Sequence, residues 1–116
     1  MAAGTPAPSG AIPAPGTFQL AAGAEGHLTA QGPLTFATAR QARELGRRAL
    51  ADSSAAPLQV DLSGVSPTDS AGLAVLIDWL AEARRAQRSL RYRDLPGGLS
   101  ALARISELEE LLGRGV

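Results

Sequence analysis

A change of hydrophobic period within residues 58–80 limits the possible folds more than any other sequence feature. Leu58, Val60 and Leu62 alternate with polar neighbours, a period of two that is typical of a half-buried strand. Pro67 then argues against a simple continuation of the sheet. Beyond it the apolar residues fall at helical spacing: Leu73, Leu76, Ile77 and Leu80. The segment therefore predicts a strand, a tight turn and a helix that faces a core.

Two short polar side chains stand at the start of that helix. Asp69 and Ser70 precede the apolar stripe, where a side-chain oxygen can accept a hydrogen bond from the first helical N–H groups. A hydroxyl at the positive end of a helix dipole can also carry a phosphate, or mark the tip of a protein-binding helix. Residue chemistry alone leaves both interpretations open, because Ser and Asp are the preferred caps of any helix.

Composition bounds the remaining possibilities. The 116 residues allow one domain, and the net charge of zero gives no electrostatic signal for nucleic acid or for an anionic membrane. No apolar run approaches the roughly 20 residues that span a bilayer, so we expect no direct membrane insertion. The N-terminus lacks the basic and apolar regions of a secretory signal, so we expect a cytoplasmic protein.

The residues needed for catalysis are missing from the sequence. The single histidine, His27, lies about forty residues before Ser70, and no Gly-x-Ser-x-Gly motif occurs. With no cysteine and no cluster of ligands at metal spacing, we expect no metal site. Gly97-Gly98 does not match a phosphate-binding loop. The sequence predicts no enzyme and no cofactor.

The other segments complete an α/β pattern. Residues 1–16 are rich in Pro, Ala and Gly and predict a flexible tail, leaving a domain of residues 17–116. Strands are predicted at 17–22, 27–30 and 89–94, and helices at 37–51, 71–87, 99–105 and 107–112. Gly32-Pro33 should end the second strand and Gly113 the last helix. This order predicts a mixed four-stranded sheet with helices packed against it.

One flank of the second helix offers a candidate binding surface. On a helical wheel, Gly72, Val75, Trp79 and Ala83 adjoin the core stripe. Small residues beside a lone large aromatic can form a groove and an anchor, and Trp is enriched at interface hot spots. The alternative is that Trp79 closes the edge of the core, since Trp is usually well buried.

The run Asp-Leu-Ser-Gly-Val-Ser-Pro-Thr-Asp-Ser-Ala-Gly-Leu-Ala-Val-Leu at residues 61–76 resembles the signature of STAS domains, the sulfate-transporter and anti-sigma-factor-antagonist family. The resemblance implies a small α/β domain without catalytic machinery that regulates a partner protein through the surface around Ser70. We expect the partner-binding residues to be Thr68, Asp69, Ser70, Ala71, Gly72, Val75 and Trp79.

Two functional types within this family fit the sequence. One resembles the small STAS subunit (MlaB type) of a phospholipid-transporting ABC system, which docks on the ATPase at the inner face of the inner membrane. Ala71 and the apolar segment 101–112 are similar to that type. The other resembles anti-sigma factor antagonists, in which an anti-sigma kinase phosphorylates the residue matching Ser70. The acidic turn of that type is replaced here by Gly32-Pro33-Leu34-Thr35, so the first type is favoured, although Ser70 leaves phosphorylation open.

Overall fold

The computed structural model describes residues 16–52 and 57–116, so residues 1–15 of the predicted tail lie outside the described part. Within the described residues the chain forms four strands and four helices. They are β1 (Gln19–Ala22), β2 (His27–Leu34), α1 (Ala39–Asp52), β3 (Leu58–Thr68), α2 (Ser70–Arg85), β4 (Leu90–Arg93), α3 (Gly97–Ile105) and α4 (Glu109–Arg114). The predicted α/β class and the mixed four-stranded sheet are confirmed.

The strands lie in the order β1-β2-β3-β4. β1 and β2 form an antiparallel hairpin, whereas β2, β3 and β4 run parallel to one another. Because parallel strands end at the same edge of a sheet, the loops that follow β2, β3 and β4 come together there. We call the ends of these three strands and the loops that follow them the carboxyl edge.

The sheet has one apolar face and one polar face. Alternate strand residues join the same buried cluster as the inner residues of the helices: Leu28, Ala30, Leu58, Val60, Leu62 and Leu90. The residues between them, such as Thr29, Arg91 and Arg93, are exposed. This alternation is the pattern expected of a sheet that packs helices on one side only.

Two strands continue past the prolines that were predicted to end them. β2 includes Pro33 and β3 includes Pro67, which follows a cis peptide bond at Ser66-Pro67. The pairing of β2 with β3 shifts register between Gly32 and Leu34. Pro lacks an N–H donor, and an irregularity in the ladder is a place where that donor is not needed. The irregular pairing therefore explains why both strand ends were predicted too early.

The helix boundaries differ from the predictions by at most two residues. α1 begins at Ala39 and α4 ends at Arg114, so Gly113 lies inside α4. Gly115 follows the helix with φ of 75°, a left-handed conformation that favours glycine. A glycine ends the helix, as predicted, but it is Gly115 and not Gly113.

The aromatic side chain of α2 belongs to the core. Trp79 is 2% exposed, its ring centroid lies 6.1 Å from that of Phe18, and its indole N–H donates to the Ala42 carbonyl at 3.1 Å. Val75 is fully buried. The predicted groove with a Trp anchor was therefore wrong: α1 packs on α2 and contributes the hydrogen-bond acceptor for the indole.

A glycine in α1 makes room for this indole. A Cβ added to Gly46 would overlap the five-membered ring of Trp79, whereas one added to Gly113 in α4 would meet nothing within 4 Å. We expect Gly46→Ala to lower the free energy of unfolding by about 1–3 kcal/mol through overpacking. The control Gly113→Ala should raise it by up to about 1 kcal/mol, the usual helix-propensity gain.

Urea unfolding followed by fluorescence of the single tryptophan measures both variants. A Gly46→Ala variant as stable as the parent would contradict the packing of α1 on Trp79.

Candidate functional site

The carboxylate of Asp69 connects two loops of the carboxyl edge. As the N-cap of α2, its Oδ1 accepts hydrogen bonds from the N–H groups of Ala71 at 2.9 Å and Gly72 at 3.1 Å. Its Oδ2 accepts from the N–H of Phe36, in the loop after β2, at 3.0 Å. The Phe36 N–H is the largest cause that lowers the pKa of Asp69; partial burial opposes it, and the other two N–H groups add to it.

Ser70 is the first residue of α2 and its side chain is exposed. Because Asp69 caps the helix, the cap interpretation applies to Asp69 and not to Ser70. The hydroxyl of Ser70 is therefore displayed at the positive end of the α2 dipole, at the surface of the carboxyl edge.

The predicted partner-binding residues divide by burial. Thr68 and Ala71 are partly exposed beside Ser70. Gly72 is buried because α2 lies so close to β2 that a Cβ there would overlap the Leu34 carbonyl oxygen. Val75 and Trp79 are buried as well, and the expectation that these three residues contact a partner directly does not fit their burial.

Phe36 is a surface residue that sequence reasoning missed. Its side chain is 85% exposed, and its backbone bonds to Asp69, the neighbour of Ser70. Hydrophobic periodicity gave no signal, because Phe36 lies in a loop. The distribution of charge could have indicated a surface that includes Phe36. Residues 28–39 and 95–103 contain no charged side chain, and residues 62–77 contain only Asp69.

The histidine lies at the other edge of the sheet. His27 begins β2, whose eight residues span roughly 25 Å at about 3.3 Å per residue, so it is far from Ser70. It borders a cleft of about 640 Å³ that is also lined by Leu20, Leu45 and Arg48. The fold does not bring a serine nucleophile and a histidine base together at Ser70.

The described part of the chain has neither a metal-binding cluster nor a membrane-spanning helix. In residues 16–52 and 57–116, no three His, Cys, Asp or Glu side chains are placed to hold a metal ion. None of the helices in that part of the chain has the length and apolarity to cross a bilayer.

The capping geometry predicts a pH-dependent contribution to stability. Replacing Asp69 with Ala should cost about 1–2 kcal/mol near neutral pH, because the α2 cap is lost. A carboxyl whose pKa is lowered by folding stabilises the fold above its unfolded pKa, and this contribution disappears as pH falls through the folded pKa. The gap between the two proteins should therefore close toward pH 2.

Urea unfolding at pH 7 and pH 2 measures this gap, with Ser70→Ala as the control that changes stability by less than about 0.5 kcal/mol. A gap that is the same at both pH values would show that the Asp69 carboxylate is not the group responsible.

The comparisons with known proteins agree with this architecture. The family model described as "Mlab, STAS domain" matches residues 18–113. The fold is similar to that of the anti-sigma factor antagonist SpoIIAA in its unphosphorylated form, with a TM-score of 0.64 and 16% identity over 81% of this chain and 84% of that one. No protein with a curated description is significantly similar in sequence. The family match covers both the sheet and the Asp69-Ser70 site, and the chain belongs to the STAS domain family.

Proposed function

We propose that this STAS domain is a non-catalytic subunit that docks through its carboxyl edge on the cytoplasmic ATPase of an Mla-type phospholipid ABC transporter and supports its activity. The description of the matching family model, which names Mlab, supports this type. So do Ala71, the apolar segment 101–112 and the missing acidic turn at residues 32–35. The domain would sit at the inner face of the membrane through its partner.

The observation that carries the proposal is the display of an uncharged hydroxyl beside a single carboxylate whose oxygens are already hydrogen-bonded. Ser70 is exposed at the start of α2, and the only carboxylate in residues 62–77, Asp69, has both oxygens engaged by backbone N–H groups. A neutral, hydrogen-bonding face can be covered by a partner without burying an unpaired charge.

Regulation would follow from binding one state of the ATPase better than the other. A docking protein shifts a partner's equilibrium only by its differential affinity for the two states, and coupling of about 1–3 kcal/mol is the usual scale. The domain then needs no chemistry of its own, only a surface that fits the nucleotide-competent arrangement of the ATPase.

The exposed hydroxyl of Ser70 also fits a second function, that of an anti-sigma factor antagonist. In an anti-sigma factor antagonist, a kinase would phosphorylate Ser70 and so block rebinding. The exposure of Ser70 supports this alternative, as does the fold shared with SpoIIAA. A phosphate would add a charge of about −1.5 to −2 next to the carboxylate of Asp69 and would disfavour docking on a neutral partner face.

Charge at position 70 tests the docking face. Ser70→Glu should weaken binding to the purified ATPase subunit by about tenfold or more, because a carboxylate would be buried against a neutral surface. Ser70→Ala removes only a hydroxyl and should change the dissociation constant by less than about fivefold. Isothermal titration calorimetry measures both; a Ser70→Glu variant that binds like the parent would remove Ser70 from the interface.

Incubation with the anti-sigma kinase and ATP separates the two functions. An antagonist gains one phosphate by intact mass, and Ser70→Ala gains none. Under the proposed transporter function, the protein instead forms a stable complex with the ATPase subunit and its mass stays unchanged.

A further inference from the structure

We infer that Phe36 is the apolar anchor of the docking surface and that Asp69 is the positioning residue that holds the Phe36 loop beside Ser70. The inference rests on the proposed function for the place of docking. Beyond the proposed function, it names the side chain that makes the main contact and the chemistry of the partner. The partner must offer a pocket lined by apolar side chains next to neutral hydrogen-bonding groups.

The first argument is exposure. The described residues show two large hydrophobic side chains that are mostly in solvent, Phe36 at 85% and Ile105 at 79%. Phe36 lies at the carboxyl edge, whereas Ile105 ends α3, about 12 Å of helix away from the start of α3 at that edge. Aromatic side chains are enriched at protein interfaces and often dominate their binding energy.

The second argument is that the loop is held in place before any partner arrives. The four N–H groups of residues 35–38 all donate hydrogen bonds within the fold. Thr38, which is buried, accepts one of them through its hydroxyl oxygen and donates its own proton to the Pro33 carbonyl at 2.9 Å. A loop that is already ordered loses little entropy on docking. Most of the free energy gained by burying its exposed ring therefore contributes to affinity.

The third argument is the scarcity of charge in the chain segments that reach the carboxyl edge. Residues 28–39, 62–77 and 95–103 contain no basic side chain and one acidic one, Asp69; the charged residues next to them at this edge are Arg93 and Asp94, where β4 ends. Phosphate-rich ligands need basic groups, so nucleic acid does not fit this surface. The central part of a protein interface is depleted of charge, which is the composition seen here.

The role of Asp69 in holding the Phe36 loop can be separated from its role as the N-cap of α2. Asn at position 69 can still use its single side-chain oxygen to cap α2, and Asn is as good an N-cap as Asp. The amide NH₂ group that replaces Oδ2 cannot accept the hydrogen bond that the Phe36 N–H donates to Oδ2 in the native chain. Asp69→Asn therefore keeps the helix start and removes the bond to the loop.

Calorimetric titration of the ATPase subunit with four proteins tests the inference. Against the parent, we expect Phe36→Ala to weaken binding by about 30-fold or more, the scale of a hot spot. Asp69→Asn should weaken it by about three- to tenfold, and the exposed control Ile105→Ala by less than twofold. Phe36→Ala should unfold at the same urea concentration as the parent, because its side chain is outside the core.

The amide spectrum of ¹⁵N-labelled protein gives a readout independent of any partner. In Asp69→Asn the Phe36 amide resonance should move upfield and exchange faster with solvent, while the amides of Ala71 and Gly72 keep their protection. Unchanged Phe36 exchange would overturn the positioning role of Asp69, as would a normal affinity of Asp69→Asn.

Parent-like binding of Phe36→Ala would overturn the anchor. So would Phe36-dependent sedimentation with anionic phospholipid vesicles in the absence of protein binding, because the ring would then serve a membrane. If the parent binds the anti-sigma kinase and not the ATPase, the transporter function fails; the same variants titrated with the kinase then decide whether Phe36 and Asp69 keep the roles inferred here.

Discussion

One carboxylate joins the two loops on which the geometry of the carboxyl edge depends. Asp69 accepts hydrogen bonds from three backbone N–H groups, two in the first turn of α2 and one at Phe36. Gly72 lets α2 approach the Leu34 carbonyl, so that helix and loop lie against the end of β2. Ser70, the residue after this cap, is exposed at the surface.

Helix α2 is buried along its middle and exposed at its first residue. Its middle is locked into the core by Trp79, which packs near Phe18 and Tyr92 and donates to the Ala42 carbonyl on α1. Its first turn carries the exposed Ser70 and the cap. A rigidly packed helix holds its first turn in a fixed place, and the proposed docking of a partner at Ser70 depends on that property.

Much of this fold could be predicted from local patterns, because β3 and α2 show clear periods of two and 3.6. What could not be predicted depends on tertiary contacts. A helical wheel placed Trp79 on one flank of α2 but could not show that α1 covers it. Only the pairing of β2 with β3 shows why Pro33 and Pro67 fit in the sheet. Both Asp69 and Ser70 were credible caps, and local sequence could not show that the Asp69 carboxylate also accepts a hydrogen bond from the Phe36 N–H, thirty-three residues away in the chain.

We propose that a partner covers the carboxyl edge and leaves the polar face of the sheet free. Amide hydrogen exchange of the domain, alone and in complex with the ATPase subunit, tests this most directly. We expect slowed exchange that is confined to residues 33–38, 66–74 and 94–98. Slowed exchange on the polar face and at the turn of residues 23–26, with the carboxyl edge unchanged, would contradict it.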